Sequence, residues 1–217
     1  MKLVVFPGLS DPKIAYKKVY DIIKKESQRR EYKAFILKSY PGHFSYDSNS
    51  YMKVNKVIKV IKSSVTELEE KADAYTILCR SFGCIPFIEF LKSFNGETKY
   101  LKKVILWGVS PYYMWYQLIR DRVKWENKFL EMKVRVKSDF FYEIYPFEFS
   151  LSELKKNFLF KIYITSGEYD EYYPEFFRNT LLNINKNPSV VFPKRVKGVD
   201  HAVTNPNDDY FNLIFGD

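Results

Sequence analysis

Apolar positions along this chain follow two patterns that alternate from one end to the other. Short, nearly continuous apolar runs are typical of buried strands, and longer segments with an apolar residue every three or four positions are typical of helices. Strands are predicted at 3–6, 32–37, 74–79, 104–107, 160–166 and 190–196. Helices are predicted at about 11–27, 51–71, 82–94, 174–182 and 208–215. This alternation favours crossovers in a mostly parallel sheet, so we expect one α/β domain over residues 1–217, a three-layer α/β/α sandwich.

Two local motifs predict where helices begin, independently of the apolar pattern. Asp11-Pro12 offers an N-cap followed by a proline at the first helical position, in a helix with Ile14 directed inward. Ser150 and Glu153 have the spacing of a capping box, in which each side chain bonds a free backbone N–H of the first turn. We therefore expect one helix to start near residue 11 and another near residue 150.

One long segment interrupts the alternation. More than fifty residues separate the strands predicted at 104–107 and 160–166, far more than an ordinary connection requires. The segment is rich in aromatic residues and includes Tyr112 and Trp115. It is either a small aromatic-rich cap, at about 110–155, over the carboxyl edge of the sheet, or one crossover helix with a surface loop. If it is a cap, Tyr112 and Trp115 are candidates for the substrate cleft.

Composition narrows the choice of partners. The formal net charge is +9, but the lysines are scattered singly or in pairs, and we find no basic block or nucleic-acid-binding motif. We therefore expect no nucleic-acid partner, although the charge favours an anionic substrate. No apolar run approaches the roughly 20 residues of a membrane span, and the apolar run at 3–6 is too short for a signal peptide. Cys79 and Cys84 are expected to be buried free thiols in a cytoplasmic protein.

The segment Cys79-Arg80-Ser81-Phe82-Gly83 lies where a predicted strand passes directly into a helix. A nucleophilic serine needs such a sharp turn, because the turn lifts its hydroxyl clear of the backbone at the end of a rigid strand. Small residues two positions before and after the serine allow the chain to pack this tightly. Ser81 is therefore a candidate nucleophile, the alternative being a serine that only caps the following helix.

An acid and a base follow later in the chain. Asp170 comes just after the strand that ends near residue 166, where it could orient a histidine, with Glu168 and Glu171 as alternatives. Asp170 could also be only a turn or capping residue. His201 follows the last predicted strand and is the candidate general base. The only other histidine, His43, is expected at the surface or at the edge of the cleft.

The order serine, aspartate, histidine, each just past a strand, resembles the α/β-hydrolase superfamily over nearly the whole chain. The resemblance implies that Ser81 is the nucleophile, His201 the base and then the acid, and Asp170 the orienting carboxylate. It also implies that the backbone N–H groups of Leu9 and Phe82 form the oxyanion hole.

This chain departs from the superfamily pattern at three positions. Cys79 replaces the first glycine of the turn, Pro7 replaces a histidine in the oxyanion loop, and bulky Arg80 precedes the serine, where it is a further candidate for the substrate cleft. The resemblance implies a serine hydrolase that cleaves an ester or thioester of a small molecule through an acyl-enzyme, with neither a metal nor another cofactor. Acyl transfer and peptide cleavage stay open. The alternative is a catalytically silent α/β-hydrolase fold that serves as a binding or regulatory module.

Overall fold

The computed structural model describes residues 1–47, 49–94, 97–109, 112–137, 139–144 and 147–216, with the backbone alone for 112–115 and 149. Its strands are β1 (Lys2–Phe6), β2 (Ala34–Leu37), β3 (Tyr75–Arg80), β4 (Leu101–Trp107), β5 (Lys161–Thr165) and β6 (Val190–Val191). Its α-helices are α1 (Lys17–Arg29), α2 (Val54–Glu70), α3 (Cys84–Ser93), α4 (Tyr112–Arg120), α5 (Arg122–Glu131), α6 (Phe140–Glu143), α7 (Phe147–Ser152), α8 (Glu175–Ile184) and α9 (Asp208–Phe215).

The strands form one parallel sheet in the order β2-β1-β3-β4-β5-β6, which confirms the predicted α/β fold. Successive side chains of a strand point to opposite faces, so each strand contributes to both of the apolar clusters that flank the sheet. Val4 and Ile77 pack on the face covered by α2, α3 and α8. Leu3 and Leu78 pack on the face covered by α1 and α9. Because all strands are parallel, their carboxyl ends meet at one edge, and β3 places its end near the middle of that edge.

The first helix starts later than predicted. It begins at Lys17, and the residues before it form turns, so the expected N-cap at Asp11-Pro12 is wrong. Asp11 is fully buried, and its carboxylate accepts hydrogen bonds from the Ser45 backbone N–H (2.7 Å) and hydroxyl (2.8 Å). The same carboxylate accepts from the Lys13 N–H (2.9 Å), so Asp11 caps a turn that ends before α1 begins. Ile14, predicted to face inward, is 50% exposed.

Two other boundaries also differ from the prediction. The proposed capping box at Ser150 is wrong, because α7 begins at Phe147 and already ends at Ser152. Burial of Phe147 and Leu151, one helical turn apart, accounts for the earlier start. The last strand stops at Val191, before Pro193, which has no N–H for the ladder, and pairing resumes in a single bridge between Val196 and Gly167.

The aromatic insertion forms α4 to α7, and the stretch just after α5 is joined to loops near the sheet. Residues 132–135 make four backbone hydrogen bonds to these loops, of 2.8 to 3.0 Å. The bonds are Asp11 N–H to Met132 O, Phe44 N–H to Lys133 O, Met52 N–H to Arg135 O, and Arg135 N–H to Gly42 O. We call this set of four bonds the cap anchor. It fixes the carboxyl end of α5 beside the loop that follows β1.

Two further features were predicted from the sequence: the lack of a membrane-spanning helix and the state of the two cysteines. Within the described ranges, no helix is long and apolar enough to cross a membrane. Cys79 and Cys84 are buried free thiols, as predicted. The Cys84 thiol donates to the carbonyl oxygens of Cys79 (3.4 Å) and Trp107 (3.6 Å), so it ties α3 to the ends of β3 and β4.

Candidate active site

Ser81 lies at a sharp turn between the central strand and a helix. Ser81–Gly83 form a single 3-10 turn between the end of β3 and the start of α3. Ser81 has a φ of +48°, a conformation that costs a non-glycine residue roughly 1–2 kcal/mol. A Cβ at Gly83 would lie 2.4 Å from the carbonyl oxygen of Pro7, so only glycine fits there without movement. The surrounding backbone therefore holds the serine in a strained position.

The loop after β1 lies directly against this turn. A Cβ at Gly8 would be 3.1 Å from Ser81 Cβ, which measures how closely the loop approaches the serine. Leu9, the next residue, and Phe82, the residue after the serine, line the same cavity as Ser81. The two residues predicted to supply oxyanion donors thus border the space in front of the candidate nucleophile.

Asp170 and His201 are in direct contact. His201 Nδ1 lies 2.8 Å from Asp170 Oδ2, and the aspartate side chain has no solvent exposure. The Ser166 hydroxyl donates to the same carboxylate oxygen, and the Tyr172 N–H donates to the other at 2.9 Å. These donors fix the orientation of the carboxylate, which in turn orients the imidazole ring. Of the three acidic candidates, Asp170 is the one that contacts the histidine.

The backbone and ring of His201 are held from several sides. Its carbonyl oxygen accepts hydrogen bonds from Arg80 Nη2 (3.3 Å) and Trp107 Nε1 (3.4 Å). The Tyr172 ring packs edge-on against the imidazole with a centroid separation of 5.0 Å. Gly108 has a φ of +68°, and a Cβ there would lie 2.9 Å from the His201 ring. The histidine loop is therefore packed closely against the ends of β3 and β4.

Ser81 and His201 share a cavity of about 240 Å³. Among the described residues, no hydrogen bond joins Ser81 Oγ to the His201 ring, whereas the bond from His201 to Asp170 is formed. The structure thus brings two of the three predicted catalytic side chains into contact and places the third in the same cavity. In sites without substrate, the hydrogen bond between nucleophile and base is often long.

The cavity has two chemically different walls. Residues from α3 and the aromatic insertion form an apolar wall that comprises Ile85, Leu118, Trp125, Phe129, Met132, Ile144 and Phe147. Tyr16, Tyr20 and Arg80 lie on a more polar wall next to Ser81. The predicted cleft residue Arg80 therefore borders the cavity. The other two predicted cleft residues, Tyr112 and Trp115, have side chains outside the described part of the structure.

His43 is neither at the surface nor among the residues that line the cavity, so the prediction of a surface or cleft-edge residue is wrong. Its side chain is fully buried, and its Nδ1 accepts a hydrogen bond from the Tyr40 N–H at 3.1 Å. Burial lowers the pKa of His43 to about 4, although the neighbouring Asp11 carboxylate acts in the opposite direction. His43 is therefore a neutral core residue behind the loop that carries Leu9. Pro41 and Gly42 correctly indicated a loop at His43, but such residues do not indicate whether a loop is buried or exposed.

Sequence reasoning missed several residues that support the acid and the base. The Arg195 side chain donates to the carbonyl oxygens of Gly167 (3.0 Å), Glu168 and Asp170 (3.1 Å), and so fastens the turn that presents Asp170. Nothing in the local sequence marks Arg195 for this role. Ser166 had a weak signal, since it is a small polar residue at a strand end four positions before the acid. In the described part of the chain, no group of three His, Cys, Asp or Glu side chains is placed to hold a metal ion.

Comparisons with known proteins place this arrangement in a structural class. No protein-family model and no curated protein matches the sequence. Alpha/beta hydrolase domain-containing protein 10 from mouse has a TM-score of 0.64 at 16% identity, covering 99% of this chain and 86% of its own. N-formylmaleamic acid deformylase from Pseudomonas putida S16 has a TM-score of 0.62 at 11% identity, covering 98% and 90%. A monoacylglycerol lipase from Palaeococcus ferrophilus has a TM-score of 0.60 at 14% identity, covering 98% and 90%. The chain has the α/β-hydrolase fold.

Proposed function

We propose that this protein is a serine hydrolase that cleaves a carboxylic ester or thioester of a small molecule through an acyl-enzyme. The observation that carries the proposal is the combination at one cavity of a serine with positive φ and a histidine bonded to a buried aspartate. A structural serine cap would need neither the strained φ nor a neighbouring acid–base pair. Hydrolases, including an esterase domain from Rhodothermus marinus, are among the proteins of similar structure.

The proposed reaction begins with attack of Ser81 Oγ on the carbonyl carbon while His201 Nε2 takes the hydroxyl proton. Asp170 keeps the proton of the imidazole on Nδ1 and stabilises the imidazolium that forms. The N–H groups of Leu9 and Phe82 stabilise the oxyanion, and His201 then gives its proton to the leaving oxygen or sulfur. Water, activated by the same histidine, attacks the acyl-enzyme and releases the acid and free Ser81.

We also propose that the insertion at about 110–155 is a cap that forms an apolar wall of the substrate cavity. Leu118, Trp125, Phe129, Ile144 and Phe147 all lie within it and border the cavity. Their apolar side chains favour an alkyl or aromatic portion of the substrate, and the modest cavity volume favours a small one. The two buried thiols agree with a reducing, cytoplasmic setting.

A second candidate function is a catalytically silent binding module on the same fold. One specific observation favours it: in the described residues no hydrogen bond connects Ser81 to His201. Cys79 in place of the usual glycine would fit this function as well. The contacts around Asp170 argue against it, since a silent fold has no need for a buried carboxylate with three donors around it.

Labelling with a fluorescent fluorophosphonate separates the two functions, because this probe reacts only with an activated serine. We expect the native chain to be labelled, and the Ser81→Ala and His201→Ala variants to be unlabelled. Ser63→Ala is the matched control, since Ser63 is an exposed serine on α2 whose hydroxyl bonds only the Val60 carbonyl oxygen. Circular dichroism should show that all variants are folded. A folded native chain that takes up no label would favour the binding module.

A further inference from the structure

Arg80 carries a buried charge without an acidic partner. Its side chain is 5% exposed, and its Nη2 donates to the carbonyl oxygens of His201 (3.3 Å) and Ala202 (2.8 Å). Its Nε is buried and has no hydrogen-bond partner among the described atoms. The ion pairs of arginines in the described ranges involve Arg29, Arg30, Arg120 and Arg178, but not Arg80. The two carbonyl groups, and the Tyr20 hydroxyl as a further hydrogen-bond partner, solvate the guanidinium without neutralising its charge.

The neighbouring tyrosines do not supply a counter-charge. The Arg80 guanidinium lies over the Tyr20 ring, 5.4 Å from its centroid. Burial raises the pKa of Tyr20 above its ordinary value of 10, although Arg80 opposes the rise. Burial likewise raises the pKa of Tyr210, so both phenols are neutral near pH 7. A buried cation without a counter-ion has its charge uncompensated, which makes a bound anion favourable here.

The cavity that Arg80 borders has a positive electrostatic character. Its described lining contains two basic side chains, Arg80 and Lys128, and no carboxylate. Lys128 is exposed and lies over the Trp125 ring, 4.6 Å from its centroid. Asp170, the nearest acid of the site, is buried beneath His201 and does not line the cavity. The overall charge of +9 acts in the same direction by attracting anions.

We propose that the substrate is an ester or thioester that carries a carboxylate, which binds at Arg80 while the reacting carbonyl lies at Ser81. This inference rests on the proposed function, because it names the substrate class of the same site. Arg80 and Ser81 are adjacent in the chain and share one cavity, so a short linker between carboxylate and ester carbonyl is required. Half-esters of short dicarboxylic acids meet this requirement. The apolar wall takes the remaining part of the molecule.

The test measures equilibrium binding to the Ser81→Ala variant, so it does not depend on turnover. Mono(4-nitrophenyl) glutarate is compared with 4-nitrophenyl pentanoate, whose acyl chain ends in a methyl group in place of the carboxylate. The corresponding succinate and adipate half-esters vary the linker. We expect the best half-ester to bind about tenfold or more tightly than its neutral counterpart, since a charge-assisted hydrogen bond to a buried guanidinium favours the anion. Equal affinities for the two ligand types would overturn the inference.

Arg80 variants in the same Ser81→Ala background separate anion binding from a purely structural role. Arg80→Met should remove the preference for the half-ester, and Arg80→Lys, which keeps the charge, should restore part of it. If Arg80 only holds the His201 loop, both ligands will lose affinity equally and the preference will survive. Lys128→Met should leave the preference largely intact. If Lys128→Met loses the preference for the half-ester while Arg80→Met keeps it, the carboxylate binds at Lys128, and the inference that it binds at Arg80 is wrong.

The inference and the proposed function fail in different ways. A chain that is labelled at Ser81 but binds both esters equally would keep the hydrolase function and lose the carboxylate site. A chain that is never labelled, yet whose Ser81→Ala variant prefers the half-ester in an Arg80-dependent way, would keep the carboxylate site as that of a binding module. Each result is decided by a separate measurement on the full chain.

Discussion

The pair formed by Asp170 and His201 and the turn that carries Ser81 are positioned by different kinds of interaction. Hydrogen bonds hold the acid and the base, with donors from residues as distant in sequence as Arg80 and Arg195. Backbone contacts hold the serine, at a positive φ next to a glycine that has no space for a side chain. The acid–base pair therefore depends on polar partners, whereas the turn depends on close backbone packing against the loop after β1.

The largest effect is expected at the acid. In Asp170→Asn, the amide retains one oxygen, which can still accept from the Tyr172 N–H, and its nitrogen takes the place of the oxygen that now accepts from Ser166 and His201. The imidazole would then take the wrong tautomer, and we expect kcat for ester hydrolysis to fall on the order of 10³- to 10⁴-fold. Glu171→Gln, a change at an exposed carboxylate next in the chain, is the control and should leave kcat unchanged. Equal losses in both variants would show that Asp170 has no special role.

The next effect is expected in the turn. Gly83→Ala would place a methyl group 2.4 Å from the carbonyl oxygen of Pro7 and 2.8 Å from that of Phe6, so backbone must move. We expect a loss of about 3 kcal/mol in the free energy of unfolding and loss of fluorophosphonate labelling. In Gly198→Ala, by contrast, the new Cβ meets no atom within 4 Å, and only its φ of +70° disfavours alanine, by roughly 1 kcal/mol. Urea denaturation of the two variants checks the difference.

The smallest effect concerns His43, behind the loop that packs on the turn. Because its folded-state pKa of about 4 lies below the unfolded value of about 6.5, the unfolded chain binds the proton first as pH falls. The stability that His43 contributes is complete above pH 6.5 and is lost as pH falls toward 4, by roughly 2–3 kcal/mol. His43→Gln should flatten this part of the curve of unfolding free energy against pH. If the curves of the native chain and of His43→Gln run parallel between pH 6.5 and 4, His43 is not buried in its neutral form.

The same contrast explains what the sequence could and could not predict. The alternation of strands and helices and the turn at Ser81 follow from local patterns, since apolar runs, glycine and the chain position of a helix are visible in a short window; the order of the strands in the sheet does not. The placement of Asp170 and His201 after strands was predictable for the same reason. Their supports were not, because Arg195 and Trp107 reach them through pairings set by the fold. At Asp11 the local signal marked a real cap, through the Lys13 N–H, but of a turn before the helix, and it did not reveal the further bond to Ser45.

The cap anchor has a consequence for how ligands enter. Each of its four backbone hydrogen bonds contributes roughly 1 kcal/mol net, so lifting the end of α5 from the sheet side would cost about 4 kcal/mol. At equilibrium that open state would be populated by about one molecule in a thousand. Entry would then depend on rotation of cavity-lining side chains such as Trp125 and Lys128, and not on lifting of this end of the insertion.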